Sequence, residues 1–440
     1  MERKHNLQCG AAQADITPGL GTILYGYAPG RPAQAVGDPL HATAIKLQSK
    51  EGCALMITCA VAAMSPELSA RLRKAAGDAA QVPAENVTVS ATHTHSAPNV
   101  SIPSAWGQVD TDYIDTILLP GVVKAAGEAA KNLQPALMGI GETCSDVGMN
   151  RRELTEDGTV ILGQNPWGPR DPKMTVISFR GDDGKILANM VHYCCHGTAS
   201  AANPEITRDW PGVMTDMLEA ETGAISGFYA GVEGDQGPNL PNGKTTGNYA
   251  MALELGAKAG KDAIRAFHSI QQWQDAPVGV IHGTVRVPYE PLASREKAES
   301  ELQRLGTRED IFAQGRYADV NEHIHWTNVL SEYDAGRPFK TEWTFDQSIV
   351  TIGPVAYIPC PFEAFIEIGL RLRKHSPYPY TLSLCNTHGC YGYLPTLSDM
   401  ERGGYEVWHF LLAMRTTYPL PRNTDDHWVM ENLALLRQGT

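Results

Sequence analysis

Short apolar runs and stretches of helical period follow one another along most of the chain. Ala42–Gln48 and Ala54–Cys59 are apolar runs of strand length and predict buried strands. Ser65–Ala80 predicts a helix, with Pro66 at a position where its missing N–H does no harm. Asn86–Ala91 predicts a strand that ends in His-Thr-His, and Thr111–Leu133 carries apolar residues at helical spacing. Met174–Phe179 and Ile186–Cys194 predict strands on either side of the turn Asp182-Asp183-Gly184. Pro211–Glu221 and Tyr249–Phe267 predict helices around a strand at Gly227–Val232. Further on, Val278–Val287 predicts a strand, and Arg295–Leu305 and Asp310–Glu332 a charged helical pair. Ser348–Ile358 predicts a strand, Pro361–Lys374 a helix, Thr381–Cys385 a strand and Asp425–Arg437 a terminal helix. The first stretch reads as loop-rich. Strands alternate with helices and several are joined by hairpin-like turns, so the predicted class is α/β, a layered mixed sheet flanked by helices.

No repeat, low-complexity tract or Gly/Ser linker divides the sequence. The expected organisation is one domain over residues 1–440, with 290–336 as a helical lid, an insertion or a contact between copies of the chain. With 42% hydrophobic residues the chain can bury a large core, which excludes global disorder. Its 49 acidic against 36 basic residues argue against a nucleic-acid groove. The longest apolar run, Cys53–Met64, is too short to span a bilayer, so no transmembrane anchor is expected. The nine cysteines are odd in number and form no Cys-x-x-Cys pair, which favours free thiols in a reducing compartment. The first residues contain no apolar signal core. A cytoplasmic location is the expectation.

Candidate chemistry sits where predicted strands end. In Thr92-His93-Thr94-His95-Ser96 the two imidazoles are two residues apart, so a strand would project both to one face at its C-terminal exit. That arrangement suits a transition metal, zinc above all, or catalysis; polar residues satisfied by backbone or water are the alternative. His192, Cys194 and His196 share a second period-2 face. There His196, beside Gly197 at the exit, is the ligand candidate, and the other two read as core. Gly234-Asp235 opens a tight turn, in which Asp235 either bonds local N–H groups or serves a site. Glu363 follows Pro361 after a strand, either complementing a helix dipole or delivering a carboxylate into a cleft. The glycine-flanked Tyr391, Tyr393 and Tyr405 are packing residues, metal ligands or oxyanion donors.

Taken in order, these segments carry a resemblance. Asp15-Ile16-Thr17-Pro18, Tyr25-Gly26-Tyr27, Thr92–Ser96, Asn150-Arg151, His196-Gly197-Thr198, Asp209-Trp210-Pro211-Gly212, Gly234-Asp235, Pro238-Asn239, Pro361–Glu363, Gly392-Tyr393 and Gly404-Tyr405-Glu406 span nearly the whole chain. Together they resemble the neutral ceramidase family of the neutral/alkaline, non-lysosomal type, in its short bacterial form. The resemblance implies that family's catalytic-domain fold and one Zn2+ per chain, held by His93, His196, Glu363 and Tyr393. It implies His95, Tyr405 and Arg151 as catalytic residues, with Arg151, Tyr405, Asp235 and Asn239 binding substrate. The implied reaction is attack of a metal-activated water on the carbonyl of an N-acyl amide, ceramide-like or smaller.

Two departures bear on substrate. Gly237 stands where the family's Gly-Asp-x-Ser-Pro-Asn has serine, which excludes a serine nucleophile at that position. The family's C-terminal β-sandwich has no counterpart in these 440 residues. A small amide, an ester or a lactone is therefore an expected alternative to ceramide, and an esterase or lactonase the second reading. A non-hydrolytic metal enzyme and a metal-free binding protein are the remaining ones.

Overall fold

The computed structural model describes residues 5–27, 29–104, 106–412 and 416–439. Its largest sheet is built from β1 (Gln8–Asp15), β2 (His41–Gln48), β3 (Cys53–Cys59), β4 (Val87–Ala91), β5 (Gln134–Cys144), β6 (Lys173–Gly181), β7 (Ile186–Tyr193) and β8 (Ile225–Ala230). Their order is β8-β7-β6-β5-β1-β2-β3-β4, and the short strand Trp273–Gln274 pairs with β5. Neighbours are antiparallel except at the two ends, where β7 runs parallel to β8 and β3 to β4. A second sheet contains β9 (Val278–Pro288), β10 (Glu342–Ile352), β11 (Val355–Pro359) and β12 (Tyr380–Leu384), with β11 and β12 parallel.

Both faces of the large sheet are buried, which explains why its strands read as continuous apolar runs. In β3, Leu55, Ile57 and Cys59 point outward to α1 (Pro66–Ala80) and α2 (Leu119–Lys131). Ala54 and Met56, on the opposite side of the pleat, meet Val350, Ile352 and Tyr357 of the second sheet. The other half of the outer face is covered by α3 (Asp209–Thr222) and α4 (Tyr249–His268), through Trp210, Met214, Leu255 and Ala263. Helices α5 (Arg295–Leu305) and α6 (Tyr317–Asp334), with the short helix Arg308–Ala313 between them, share a small core of their own at Leu305, Ile311 and Val320. The far face of the second sheet takes α7 (Ile366–His375) and, beyond the short α8 (Tyr405–Leu411), α9 (Thr424–Gln438). The layers run helix, sheet, sheet, helix, in agreement with the expected mixed α/β class.

Local chemistry sets the boundaries. Ser65 caps α1 by accepting from Leu68 N, a contact of about 1 kcal/mol. The expected helix 361–374 begins only at Ile366. Before it, Glu363–Ala364 forms a short parallel pair with Tyr393–Leu394, so Glu363 sits on a strand and not in a first helical turn. The expected strand 348–358 is a hairpin that turns at Gly353, whose φ of 53° supplies the reversal. The expected helix 310–332 is interrupted at Gly315, φ 67°. Among the described residues no helix is long and apolar enough to cross a membrane.

Candidate metal centre and catalytic cavity

Strands of the parallel pairs end on one edge of the molecule, and their exits carry the polar residues. His93 and His95 follow β4, His196 follows β7, Glu233 follows β8, Glu363 follows β11 and Asn386 follows β12. The exit of β12 joins the two ends of the large sheet: Ala91 N donates to Asn386 O at 3.0 Å, and Cys385 N donates to Ala230 O at 3.1 Å. Residues remote in sequence are thereby brought to one place.

Three buried side chains converge there. One ligand atom each from His93, His196 and Glu363 lies within 4.8 Å of the others. Glu363 Oε2 is 3.1 Å from His196 Nε2 and 3.5 Å from His93 Nε2. The other nitrogen of each ring faces a backbone carbonyl, which can only accept: His93 Nδ1 meets Ala62 O at 2.6 Å, and His196 Nδ1 meets Gln236 O at 2.9 Å. Both protons therefore belong on Nδ1, leaving the Nε2 lone pairs turned to the shared carboxylate. Burial, reinforced by the Arg151 charge, pushes His196 down to about 3. Two neutral imidazoles and one carboxylate make a nitrogen–oxygen donor set that fits a divalent transition metal of the zinc type.

The expected residues around this centre fall into two groups. Tyr393 stands in register with Glu363, and its hydroxyl accepts from Arg151 Nη2 at 3.1 Å. Arg151 also donates from Nε to Glu406 Oε1 at 3.0 Å, and Glu406 Oε2 accepts from Arg152 Nη1 at 2.8 Å. Burial works against the Arg151 charge, yet Tyr393, Glu406 and Glu363 raise its pKa above the ordinary value. Tyr405 packs its ring 5.6 Å from that of Tyr393, and burial raises its phenol pKa. His95 Nε2 lies 3.4 Å from His93 Nε2, and burial with the two neighbouring imidazoles keeps His95 well below its usual pKa. A cavity of about 60 Å³ opens onto His93, His95, Glu363, Tyr393 and Tyr405. Trp106, His409 and Asn321 of α6 stand in its wall.

Asp235 and Asn239 are not brought to this cavity. Asp235 is buried next to Arg151, whose N donates to its backbone carbonyl at 2.8 Å; its carboxylate accepts from Ile366 N at 2.8 Å and Asn150 Nδ2 at 3.0 Å and lines a separate polar cleft. Asn239 donates to Asp146 O at 2.9 Å, beside Leu240 and α4. His192 and Cys194 are core residues, His192 Nε2 meeting Ser383 O at 3.0 Å.

The motifs that flank the centre hold it in place. A Cβ at Gly26 would collide with the His95 imidazole, while the Tyr27 ring packs 5.1 Å from it and Arg31 binds the His95 carbonyl. Trp210 Nε1 donates to His196 O at 2.8 Å. Asp209, at φ 60°, gathers the N–H groups of Ala199, Ser200 and Trp210. A side chain at Gly237 would meet Thr245 Cγ2 at 2.7 Å, so Thr245 occupies the space a serine would need. Sequence reasoning missed Glu406, Glu233 and Asn386 as buried neighbours of the centre. A conspicuous Tyr-Glu pair marked the first, whereas nothing local distinguishes the other two.

No protein-family model and no curated protein matches the chain. Among solved structures it is similar to the neutral ceramidase from Pseudomonas aeruginosa, at TM-score 0.72 and 16% identity over 99% of this chain and 75% of that one. It is also similar to a ceramidase complexed with C2, at TM-score 0.71 and 16% identity over 99% of this chain and 74% of that one. At this identity the likeness establishes a shared fold over nearly the whole chain.

Proposed function

We propose that the chain is a zinc-dependent hydrolase of an N-acyl amide, a ceramide-like lipid or a smaller relative. One observation carries this reading: two imidazoles and one carboxylate converge beside a cavity onto which His93 and Glu363 open together with His95 and Tyr405. Similarity to structures named as ceramidases supports the amide as the bond cleaved.

His93, His196 and Glu363 would hold the metal, with Tyr393 beside Glu363 as the fourth ligand. When bound, the metal supplies Lewis acidity that acidifies a water and polarises a carbonyl oxygen. His95 faces the same space and moves the proton from the attacking water to the leaving amine. The Tyr405 hydroxyl donates to the oxyanion as it develops. Arg151 acts through Tyr393, its guanidinium holding the hydroxyl and adding positive charge behind it. Asn321, from the 290–336 stretch, stands in the cavity wall. An ester or lactone carbonyl would meet the same groups, so the test spans all three bonds.

The test assays protein of measured metal content against a panel of N-acyl amides, esters and lactones, before and after chelation. Amide turnover that chelation abolishes and zinc restores is the expected result. Turnover confined to esters or lactones replaces the amide with the second reading. Full turnover by metal-free protein overturns both.

A further inference from the structure

In Gly403-Gly404-Tyr405-Glu406 the tyrosine lines the cavity, whereas the glutamate does not and is 1% exposed. Both oxygens of the Glu406 carboxylate are engaged. Oε1 accepts from Arg151 Nε at 3.0 Å and Oε2 from Arg152 Nη1 at 2.8 Å. Arg152 Nη2 in turn donates to Gly403 O at 2.7 Å. The two glycines permit that approach: their φ values are 65° and 95°, and a Cβ at Gly404 would fall 3.1 Å from Arg152 Nη1. Arg151, itself buried, donates from Nη2 to the Tyr393 hydroxyl at 3.1 Å. One buried carboxylate thus links the segment that carries both arginines to the helix that begins with Tyr405. Ion clusters of this kind are often no more stabilising than apolar packing of the same volume. What this one supplies is fixed geometry.

We propose that Glu406 is a positioning residue for both tyrosines of the centre. Its bond to Arg151 Nε, together with the Nη2 bond to Tyr393, fixes the guanidinium at two points and so sets where the Tyr393 hydroxyl stands beside Glu363. Its bond to Arg152, which also holds the Gly403 carbonyl, fixes the first turn of α8 and so sets how Tyr405 enters the cavity. Neither role brings Glu406 to the substrate. The inference rests on Tyr393 and Tyr405 acting as proposed above.

Steady-state kinetics on the best substrate of the amide, ester and lactone panel test it, alongside zinc affinity and the visible spectrum of the cobalt-substituted protein. Glu406→Gln keeps the shape but turns an NH2 group toward one guanidinium, which breaks one of the two bonds. Its kcat is expected to fall by about 10–100-fold while His93, His196 and Glu363 hold zinc affinity within a few-fold of wild type. The cobalt bands should shift as Tyr393 moves. In the double variant of Glu406→Gln with Arg151→Met, the loss should fall well short of the product of the two single losses. Unchanged kcat and spectrum in Glu406→Gln overturn the proposal, as does a drop that loss of zinc fully accounts for, or losses that simply multiply. Should Glu406→Gln fail to fold, arginine side-chain nitrogen NMR of the wild type decides. A slowly exchanging, downfield-shifted Nε–H that is missing in Arg151→Lys is expected, and its absence overturns the pair. If the zinc-loaded wild type hydrolyses nothing in the panel, the hydrolase reading falls, while the cobalt spectrum and the Arg151 resonance still report on Glu406.

Discussion

Glu363 Oε2 faces two imidazoles at 3.1 and 3.5 Å, so the carboxylate is the point the centre shares. Glu363→Gln is expected to lower metal affinity by on the order of 100-fold or more, at or beyond the upper end of what loss of an outer partner costs. Activity should fall in proportion, and metal analysis beside turnover checks it; full metal content with full turnover would remove Glu363 from the ligand set. Gly26→Ala probes a different function. Its methyl group would push on the His95 ring at a backbone φ of 115° that suits glycine. Turnover should drop at least tenfold with metal content intact, whereas joint loss of metal would place Gly26 under the ligands. Asp235 offers a pH signature. Burial raises its carboxyl to about 7, above the unfolded value of roughly 3.9. The folded chain therefore binds this proton more tightly. The Asp235 contribution to stability is complete below pH ~4 and is lost as pH rises through about 7. Asp235→Asn should flatten that slope in denaturant titrations at pH 5 and 8; an unchanged slope would show that the group does not titrate there. Of these residues, His93, His196 and Glu363 were legible from motifs because their neighbours are distinctive. Asn386 and Glu233 were not, since a buried Asn or Glu leaves no periodic or compositional trace until its partners are known.

Elements were recovered where apolar character was local, and missed where packing replaced it. β1 and β5 lie at the middle of the large sheet, yet β1 is rich in Ala and β5 carries Gly139 and Gly141. Those small residues let helices approach: a Cβ at Gly141 would fall on the carbonyl of Ala266 in α4. The requirement for close approach removed the bulky β-branched side chains by which strands are recognised. Gly141→Ala is accordingly expected to force α4 off the sheet. The cost should be about 1–3 kcal/mol, read as a lower denaturation midpoint at an unchanged slope. A neutral result would mean that the helix can shift without loss of packing. Glu363 shows the converse error. Its Pro-x-Glu context suits a helix start, but the backbone pairs instead with Tyr393–Leu394, and that pairing carries both the carboxylate and the tyrosine to the centre.

For the molecule as a whole, metal binding and folding should be linked. A centre assembled from the exits of β4, β7 and β11 exists only in the folded chain, so zinc should stabilise that state. Free zinc at 100 times its dissociation constant corresponds to about 2.7 kcal/mol and a rise of several degrees in Tm. His196→Ala should abolish that rise in calorimetry; a rise that persists would indicate zinc bound elsewhere. The sequence by itself determined the α/β class, most helices and strands, and the kinds of side chain waiting at strand exits. These follow from periodicity and turn chemistry, which act over a few residues. Only the tertiary structure decided which of those side chains meet. His196 and Glu363 lie 167 positions apart, and His93 and Asn386 lie 293 apart. They share a centre because the order and direction of the strands bring those exits to one edge, whereas Asp235 and Asn239, equally prominent as motif residues, are turned to other surfaces. Local patterns record what each strand can bury, and convergence depends on how the sheets are wound.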